Sequence, residues 1–303
     1  MTHGTMKLCL GTVQLGMDYG IRGQRQPSPE DAVGILDYAT QNGIDTIDTA
    51  CAYGTAEDVV GVFLGRRTVR RDQLFVISKL RPNLLDGVAP DRYYEVAKAN
   101  LQASLRRLRT DYLDAYMCHS ARYVFNEEIM SAMRRLRDEG LVRHNGVSVY
   151  EPNEAMACMA SENTDFMQLP FSVFDQRMLK AGVFATPQTA CTRIHSRSAF
   201  IQGLVLMREG EVPPFLAKAR PLVRRIDALC ARHGISRIAL AMGFVKRQSA
   251  ISHLVFGVDN LVQLREDIDA FRSDLPNELV DEIGREFVGV SADIVMPSLW
   301  ARD

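Results

Sequence analysis

Short apolar runs, rich in β-branched and aromatic residues, alternate along the chain with longer segments whose apolar residues recur every three or four positions. The first pattern is typical of buried β-strands and the second of amphipathic helices. The helical spacing is clearest in the range 91–108, where it places Leu101, Leu105 and Leu108 on one face. The alternation predicts eight strands: Met6–Leu10, Ile44–Thr49, Leu74–Leu80, Tyr112–Cys118, Leu141–Val149, Phe166–Leu169, Thr192–Arg197 and Leu254–Gly257.

Helical segments follow most of these strands, and turn residues such as Asn42–Gly43 mark where they stop. They are predicted at 29–41, 56–64, 91–108, 126–139, 153–159, 214–232, 236–247, 261–271 and 278–287. Eight strands interleaved with helices over 303 residues favour the α/β class and a (β/α)8 TIM barrel. No linker or shift in composition divides the chain, so we expect one domain over residues 1–303. A Rossmann fold is disfavoured, because LGTVQLG does not supply GxGxxG after the first strand.

Composition and charge narrow the function classes. The 47% hydrophobic and 24% charged residues are ordinary for a globular protein. A net charge of −1 without runs of like charge argues against nucleic-acid or anionic-membrane partners. The start MTHGTMKLCL has no secretory-signal pattern, and no run approaches the roughly 20 apolar residues of a membrane span.

The cysteines favour neither a disulfide framework nor a metal site. They are scattered without a CxxC pair, and several lie in apolar strands where a free thiol behaves as a small hydrophobe. This usage predicts a reducing cytoplasm and no bound metal. The six are Cys9, Cys51, Cys118, Cys158, Cys191 and Cys230.

Candidate chemistry lies at the predicted strand ends, because catalytic groups of such barrels occupy the carboxyl-terminal ends of strands. Asp48 finishes the second strand, Lys79 lies at the end of the third, and His119 follows the fourth. Tyr53 lies in the loop after Asp48, before a helix with acidic residues in its first turn. These positions predict that a carboxylate, an ammonium, an imidazole and a phenol meet at one rim.

These four groups could act as a general acid aimed at a carbonyl. A free tyrosine has a pKa near 10, and a nearby ammonium is expected to lower it. Asp48 would keep Lys79 charged despite burial. His119 could donate to or polarise a carbonyl oxygen. With a hydride donor opposite, the arrangement would suit carbonyl reduction.

Each residue also has an ordinary explanation. Asp48 could cap a turn while Tyr53 packs, and a lone histidine after a strand is commonly a packed, hydrogen-bonded residue. Lys79 could instead be the Schiff-base nucleophile of an aldolase. Four such residues together at adjacent strand ends nevertheless favour the shared catalytic role.

Several segments resemble the aldo-keto reductase family, in the expected order and over essentially the whole chain. IDTACAYGTAEDVVG resembles its Asp-Thr-Ala…Tyr-Gly…Glu…Gly signature, VISKL its lysine strand and DYLDAYMCH its histidine strand. GLVRHNGVSVY, IHSRSAFIQGLVL and FGVDNLVQLREDIDAF resemble the segments of strands five, seven and eight. The resemblance implies an NAD(P)H-dependent carbonyl reductase with the tetrad Asp48, Tyr53, Lys79 and His119, in which Tyr53 donates the proton.

The same resemblance implies a set of cofactor contacts. Gly11 and Thr12 match the first-strand contact, and Glu266 and Asp267 match the acid–polar pair near the adenine. Ser148 and Gln168 match the polar pair that binds the nicotinamide carboxamide, although the asparagine often found after the serine is Val149 here. Arg197 stands where an aromatic residue usually stacks on the nicotinamide, and it would place positive charge beside the oxidised ring.

The strand-eight segment departs from the pattern that selects NADPH. Gly257 and Gln263 occupy positions where relatives place Lys or Arg for the 2′-phosphate, and Arg265 and Arg247 are the nearby basic candidates. The resemblance implies NADP(H) as the cofactor, because relatives commonly use it. The absence of a basic residue to bind the 2′-phosphate at positions 257 and 263 predicts that NADH is also accepted.

The leading hypothesis is therefore a cytoplasmic reductase of a small-molecule aldehyde or ketone. The alternatives are a dinucleotide-binding regulatory or interaction subunit, and an aldolase using Lys79. Polar, arginine-containing loops at 16–25 and 120–126 favour a sugar or another oxygen-rich carbonyl. Trp300, beside Arg302, could cover the substrate or anchor the carboxyl terminus.

Overall fold

Eight parallel strands form a closed barrel in sequence order, with β8 returning to pair with β1. The computed structural model describes residues 6–186 and 193–301; Cys191, Thr192 and Arg302 lie outside the described residues. The predicted (β/α)8 barrel is confirmed. The strands are β1 (Lys7–Gly11), β2 (Thr46–Asp48), β3 (Phe75–Leu80), β4 (Leu113–Cys118), β5 (Val142–Ser148), β6 (Phe166–Pro170), β7 (Arg193–Arg197) and β8 (His253–Phe256).

Helices surround the barrel and bury their apolar faces on the strands and on one another, as the spacing predicts. They are α1 (Val13–Gly16), α2 (Pro29–Gln41), α3 (Ala56–Arg66), α4 (Tyr93–Leu108), α5 (Glu127–Asp138), α6 (Pro152–Ala160), α7 (Arg177–Lys180), α8 (Arg220–His233), α9 (Arg237–Lys246), α10 (Leu261–Arg272), α11 (Asn277–Glu286) and α12 (Ala292–Val295). None of the helices in ranges 6–186 and 193–301 is long and apolar enough to cross a membrane.

The predicted helix at 214–232 is wrong in its first part. Residues 214–219 form a 3₁₀ segment that is interrupted at Leu216, and the α-helix begins only at Arg220. Pro221 explains the break: it has no backbone N–H to continue a helix from upstream, but it is tolerated in a first turn. The second strand is also shorter than predicted, because only three of its residues pair with β1 and β3.

Two histidines fill part of the barrel interior. His195 on β7 is fully buried, with its ring 4.6 Å from Phe166 and 4.2 Å from His253 on β8. Neither ring nitrogen of His195 has a hydrogen-bond partner among the described residues. Burial, together with the charges of His253 and Arg193, lowers the pKa of His195 well below its ordinary value. Burial, helped by Arg193 and Lys7 against an opposing contribution from Asp45, lowers the pKa of His253 to about 4.

Acid should therefore destabilise this fold at a pH where the carboxylates are still ionised. Both folded-state pKa values are depressed, so below about pH 6.5 the unfolded chain binds protons that the folded chain does not. As the pH falls, each histidine then lowers the free energy of unfolding by up to about 1.4 kcal/mol per pH unit, until the pKa of the folded state is reached. Urea unfolding between neutral pH and about pH 4 should show this slope, and His195→Phe should reduce it. An unchanged slope in that variant would contradict the assignment.

Candidate active site

Four of the predicted groups meet at the carboxyl-terminal ends of β2, β3 and β4. Both oxygens of Asp48 lie 2.8 Å from Lys79 Nζ, which also donates to Thr49 O at 3.0 Å. The Lys79 ammonium is 4.9 Å from the ring centre of Tyr53, and the ring centres of Tyr53 and His119 are 5.8 Å apart in a T-shaped arrangement. A closed parallel barrel accounts for this meeting, because adjacent strands end side by side at one rim.

The turn that carries Tyr53 is fastened to the loop after β1. Gly54 has φ +55°, and a Cβ there would lie 2.2 Å from Gly16 O, while a Cβ on Gly16 would lie 2.0 Å from Tyr53 O. Thr55 N donates to Gly16 O at 2.9 Å. The amide of Gln26 donates to both Leu15 O at 3.0 Å and Thr55 Oγ1 at 2.8 Å. Close backbone contact, which glycine permits, thus fixes the position of the phenol.

Lys79 is held as an ammonium in a buried place. Burial by itself would lower its pKa, but the charges of Asp48 and Tyr53 and the hydrogen bonds to Asp48 outweigh burial, so the pKa is raised. Gln168 Nε2 donates to Asp48 Oδ1 at 2.5 Å, which connects this pair to β6 on the other side of the barrel. The carboxylate thus has three donor contacts from two side chains.

The pKa of Tyr53 moves in the direction opposite to our prediction. Burial of the phenol raises it, and the opposing effect of Lys79 is smaller, so the net pKa lies above the ordinary value. The physical reason is that Asp48 offsets much of the positive charge of Lys79, so the pair stabilises the phenolate only weakly. Burial, by contrast, disfavours the charged phenolate relative to the neutral phenol. Tyr53 is therefore protonated at neutral pH and has a proton to donate.

His119 follows β4 as a neutral imidazole. Burial lowers its pKa to about 3, with help from the charges of Lys79 and Arg197. Its Nδ1 has no partner among the described residues. A neutral ring keeps one N–H donor, so His119 can donate to an oxygen without contributing charge.

A cavity of about 460 Å³ opens over these groups. Lys79 lies behind Asp48 and does not line the cavity. Ser148 is buried beside Gln168 in the strand register and does not line it either. The predicted site residues that line it are Gly11, Thr12, Asp48, Tyr53, His119, Gln168, Arg197, Gly257, Gln263, Glu266 and Asp267.

Arg197 ends β7 and points its guanidinium toward β5. Nη2 donates to Val149 O at 2.8 Å, and the guanidinium carbon lies 4.3 Å from the ring centre of Tyr150. Its Nε is buried without a partner among the described residues. The carbonyl and the aromatic face thus hold the cation in place.

The end of the cavity beyond β8 is acidic. Gln263 accepts from Asp259 N at 2.7 Å and donates to Asp259 Oδ2 at 3.2 Å. Burial, followed by the charges of Glu266 and Asp259, raises the pKa of Asp267 to about 8. Arg265 lies over the ring of Tyr38 instead, at 5.0 Å from its centre. Arg247 donates to Asn277 at 2.5 Å and does not line the cavity.

Sequence reasoning missed much of the lining. Gln14 and Tyr150 line the cavity, as does the loop at 198–203 after β7. In that loop the non-glycine residues Ser198, Ile201 and Gln202 have positive φ, an unusual conformation that is common at functional sites. Gly203, before Leu204, was the available signal, because glycine adopts positive φ in turns without steric cost.

Only one of the predicted substrate loops contributes to the lining. Tyr19, Arg22 and Gln24 from the loop at 16–25 line the cavity, whereas residues 120–126 do not. Trp300 is buried, donates to Ile294 O at 3.2 Å and lies 6.2 Å from the Phe215 ring, away from the cavity. Anchoring of the tail therefore describes Trp300 better than covering of a substrate.

The chain is a closed (β/α)8 barrel whose carboxyl-terminal rim brings Asp48, Tyr53, Lys79 and His119 together. Comparison with known proteins defines the class further: the model of the Aldo/keto reductase family matches residues 7–285, and the chain belongs to this family. It is accordingly an NAD(P)H-dependent oxidoreductase that acts on small-molecule carbonyl compounds.

Curated relatives are similar over almost their full lengths. The uncharacterized oxidoreductase YqkF of Bacillus subtilis is 26% identical over 296 residues, covering 88% of this chain and 89% of YqkF. Protein tas of Escherichia coli is 25% identical over 336 residues, covering 91% and 92% of the two chains. Among solved structures, the holo form of aldo-keto reductase AKR11C1 from Bacillus halodurans has a TM-score of 0.74 at 21% identity, covering 94% and 93%.

Proposed function

We propose that this protein is a single-domain reductase of an aldehyde or ketone, in which Tyr53 donates the proton. One observation carries the proposal: the phenol of Tyr53 lines a cavity directly beside a buried ammonium–carboxylate pair. An acid needs a proton at working pH and a stabilised conjugate base, and this arrangement supplies both.

The cavity suits a nicotinamide dinucleotide. Gln14 Oε1, His119 Nδ1 and Arg197 Nε are buried polar atoms along its wall without partners among the described residues, as expected of a wall that contacts a polar ligand. Gly11, Thr12, Gln168, Arg197 and the segment from Gly257 to Asp267 would hold the dinucleotide. When bound, it supplies hydride to the carbonyl carbon.

The residues of the chain then have separate roles. His119 donates a hydrogen bond to the carbonyl oxygen and orients it. Tyr53 gives its proton to that oxygen as negative charge develops on it. The ammonium of Lys79 stabilises the resulting phenolate, and Asp48 keeps Lys79 charged while both are shielded from water.

The alternatives receive less support. A Schiff-base lysine must be an accessible, neutral amine. Lys79 is only 1% exposed and donates a hydrogen bond to Asp48, and its pKa is raised, so it is a buried ammonium. A pure regulatory subunit has no use for a phenol and an imidazole placed beside a buried Lys79–Asp48 pair.

We also propose that NAD(H) binds at least as well as NADP(H). The carboxyls of Asp259 and Glu266 line the end of the cavity beyond β8, and Arg265 and Arg247 are engaged outside the cavity. A 2′-phosphate beside Gln263 would meet like charges and no cationic donor. Hydrogen bonds to charged groups contribute about 1.5–3 kcal/mol each. The lack of a cationic donor for the 2′-phosphate therefore weakens the binding of NADPH and leaves the binding of NADH unaffected.

Gln263→Arg should shift the ratio of NADH to NADPH dissociation constants toward NADPH by about tenfold or more. The reason is the added cation at the clamp position. Titration of both cofactors by fluorescence measures the ratio. Gln263→Leu is the matched control, since it loses the contacts with Asp259 without gaining charge. Tight, exclusive NADPH binding by the wild type would show that another clamp exists.

The substrate class is tested by an aldehyde and sugar panel followed at the nicotinamide absorbance. The loop at 16–25 presents Tyr19, Arg22 and Gln24 to the cavity, which supports an oxygen-rich carbonyl such as a sugar. We expect sugar aldehydes to be reduced with higher kcat/KM than alkyl aldehydes of equal size. The reverse order would remove the support for a sugar.

A further inference from the structure

Arg197 is a cation without a counterion at the Tyr53 end of the cavity. Its contacts are the Val149 carbonyl, the Tyr150 ring and, at 3.4 Å, the Ser198 hydroxyl. In the described part of the chain, no carboxylate forms an ion pair with it. Arg22, the other arginine in the wall, is paired with Glu211 at 2.6 Å.

The other groups at this end do not balance that charge. The negative charge of Asp48 is balanced by Lys79, whose Nζ lies 2.8 Å from each carboxylate oxygen. Tyr53 and His119 are neutral at neutral pH, for the reasons given above. The reaction end of the cavity therefore carries about one net positive charge, while Asp259 and Glu266 make the opposite end negative.

The position of the hydride donor follows from the chemistry. A carbonyl oxygen that receives the proton of Tyr53 is one bond from the carbon that receives the hydride. The nicotinamide ring would have to contact that carbon, so it would lie at the same end of the cavity as Tyr53 and Arg197. The ring is cationic when oxidised and neutral when reduced, whereas the two phosphates carry the same charge in both forms.

We propose that Arg197 makes the protein bind reduced dinucleotide more tightly than oxidised dinucleotide and so favours carbonyl reduction over alcohol oxidation. The inference rests on the proposed function. The guanidinium repels the oxidised ring and has no such effect on the reduced ring. Coulomb's law for charges a few ångströms apart in a partly buried site makes the effect on the order of tenfold or larger.

The test measures dissociation constants by calorimetry for NADH, NAD⁺ and ADP-ribose, which lacks the nicotinamide. Arg197→Met removes the charge at similar length, and Arg197→Lys retains it. Arg22→Met is the matched control, because it removes an arginine whose charge is already balanced. Circular dichroism verifies that each variant is folded.

We expect the NAD⁺ to NADH ratio of dissociation constants to fall about tenfold in Arg197→Met and to be largely retained in Arg197→Lys and Arg22→Met. ADP-ribose affinity should be unchanged. An unchanged ratio in Arg197→Met would overturn the inference. So would an equal loss of affinity for all three ligands, which would make Arg197 a phosphate-binding residue. Failure of the folded wild type to bind any dinucleotide would instead refute the proposed function.

Discussion

Tyr53→Phe is expected to lose carbonyl reduction by about 10²–10⁴-fold while still binding the dinucleotide. The substitution removes the only proton that the phenol supplies. It keeps the ring that contacts His119 and Lys79, so the packing around Gly16 and Gly54 is preserved. The loss should appear in kcat, because the proton transfer occurs in the transition state rather than in binding.

Steady-state turnover and NADH titration together check this result. Tyr19→Phe is the matched control: it removes another hydroxyl from the same cavity wall, away from the Lys79–Asp48 pair. We expect it to cost far less turnover. Turnover near the wild-type value in Tyr53→Phe would disprove the assignment of Tyr53 as the acid.

Lys79→Met should be equally damaging to turnover and should also destabilise the fold. It removes the charge that stabilises the phenolate, and it leaves the Asp48 carboxylate buried without its ion pair. Breaking a buried pair by removing one partner costs about 3–5 kcal/mol. Urea unfolding and steady-state turnover measure the two effects separately.

The double variant Lys79→Met with Asp48→Asn separates chemistry from stability. It removes the unpaired charge, so most of the lost unfolding free energy should return while turnover stays low. If Lys79→Met raised KM at unchanged kcat, Lys79 would be a binding residue. If the double variant regained turnover, the charge of Lys79 would have no part in the reaction.

The barrel and the meeting of its rim residues could be predicted because both follow from local patterns. Each strand is marked by its own apolar run, and parallel strands in sequence order bring their ends together without further information. Asp48, Lys79 and His119 stand at or just after the ends of consecutive strands, so their convergence required only the fold class.

Features that depend on three-dimensional surroundings could not be predicted. The pKa of Tyr53 is raised because the effect of burial is larger than the opposing effect of the Lys79 charge. The sequence indicates only that Lys79 lowers the pKa, and it does not indicate how deeply the phenol is buried. The hydrogen bond from Gln168 to Asp48 joins residues that are 120 positions apart. The resemblance assigned Ser148 to the cofactor, yet Ser148 does not line the cavity, although its strand partner Gln168 does.

The two hydrogen bonds of the Gln26 amide have a consequence for altering substrate range. They tie the loop at 17–26, which lines the cavity, to the turn that carries Tyr53, the proposed acid. Selection for new substrates through residues 17–26 would therefore change the speed of proton delivery along with affinity. The loop at 198–203 is joined to the same loop, because Ile21 N donates to Gln202 O at 3.1 Å. A directed-evolution library at 17–26 would thus select catalytic rate together with recognition.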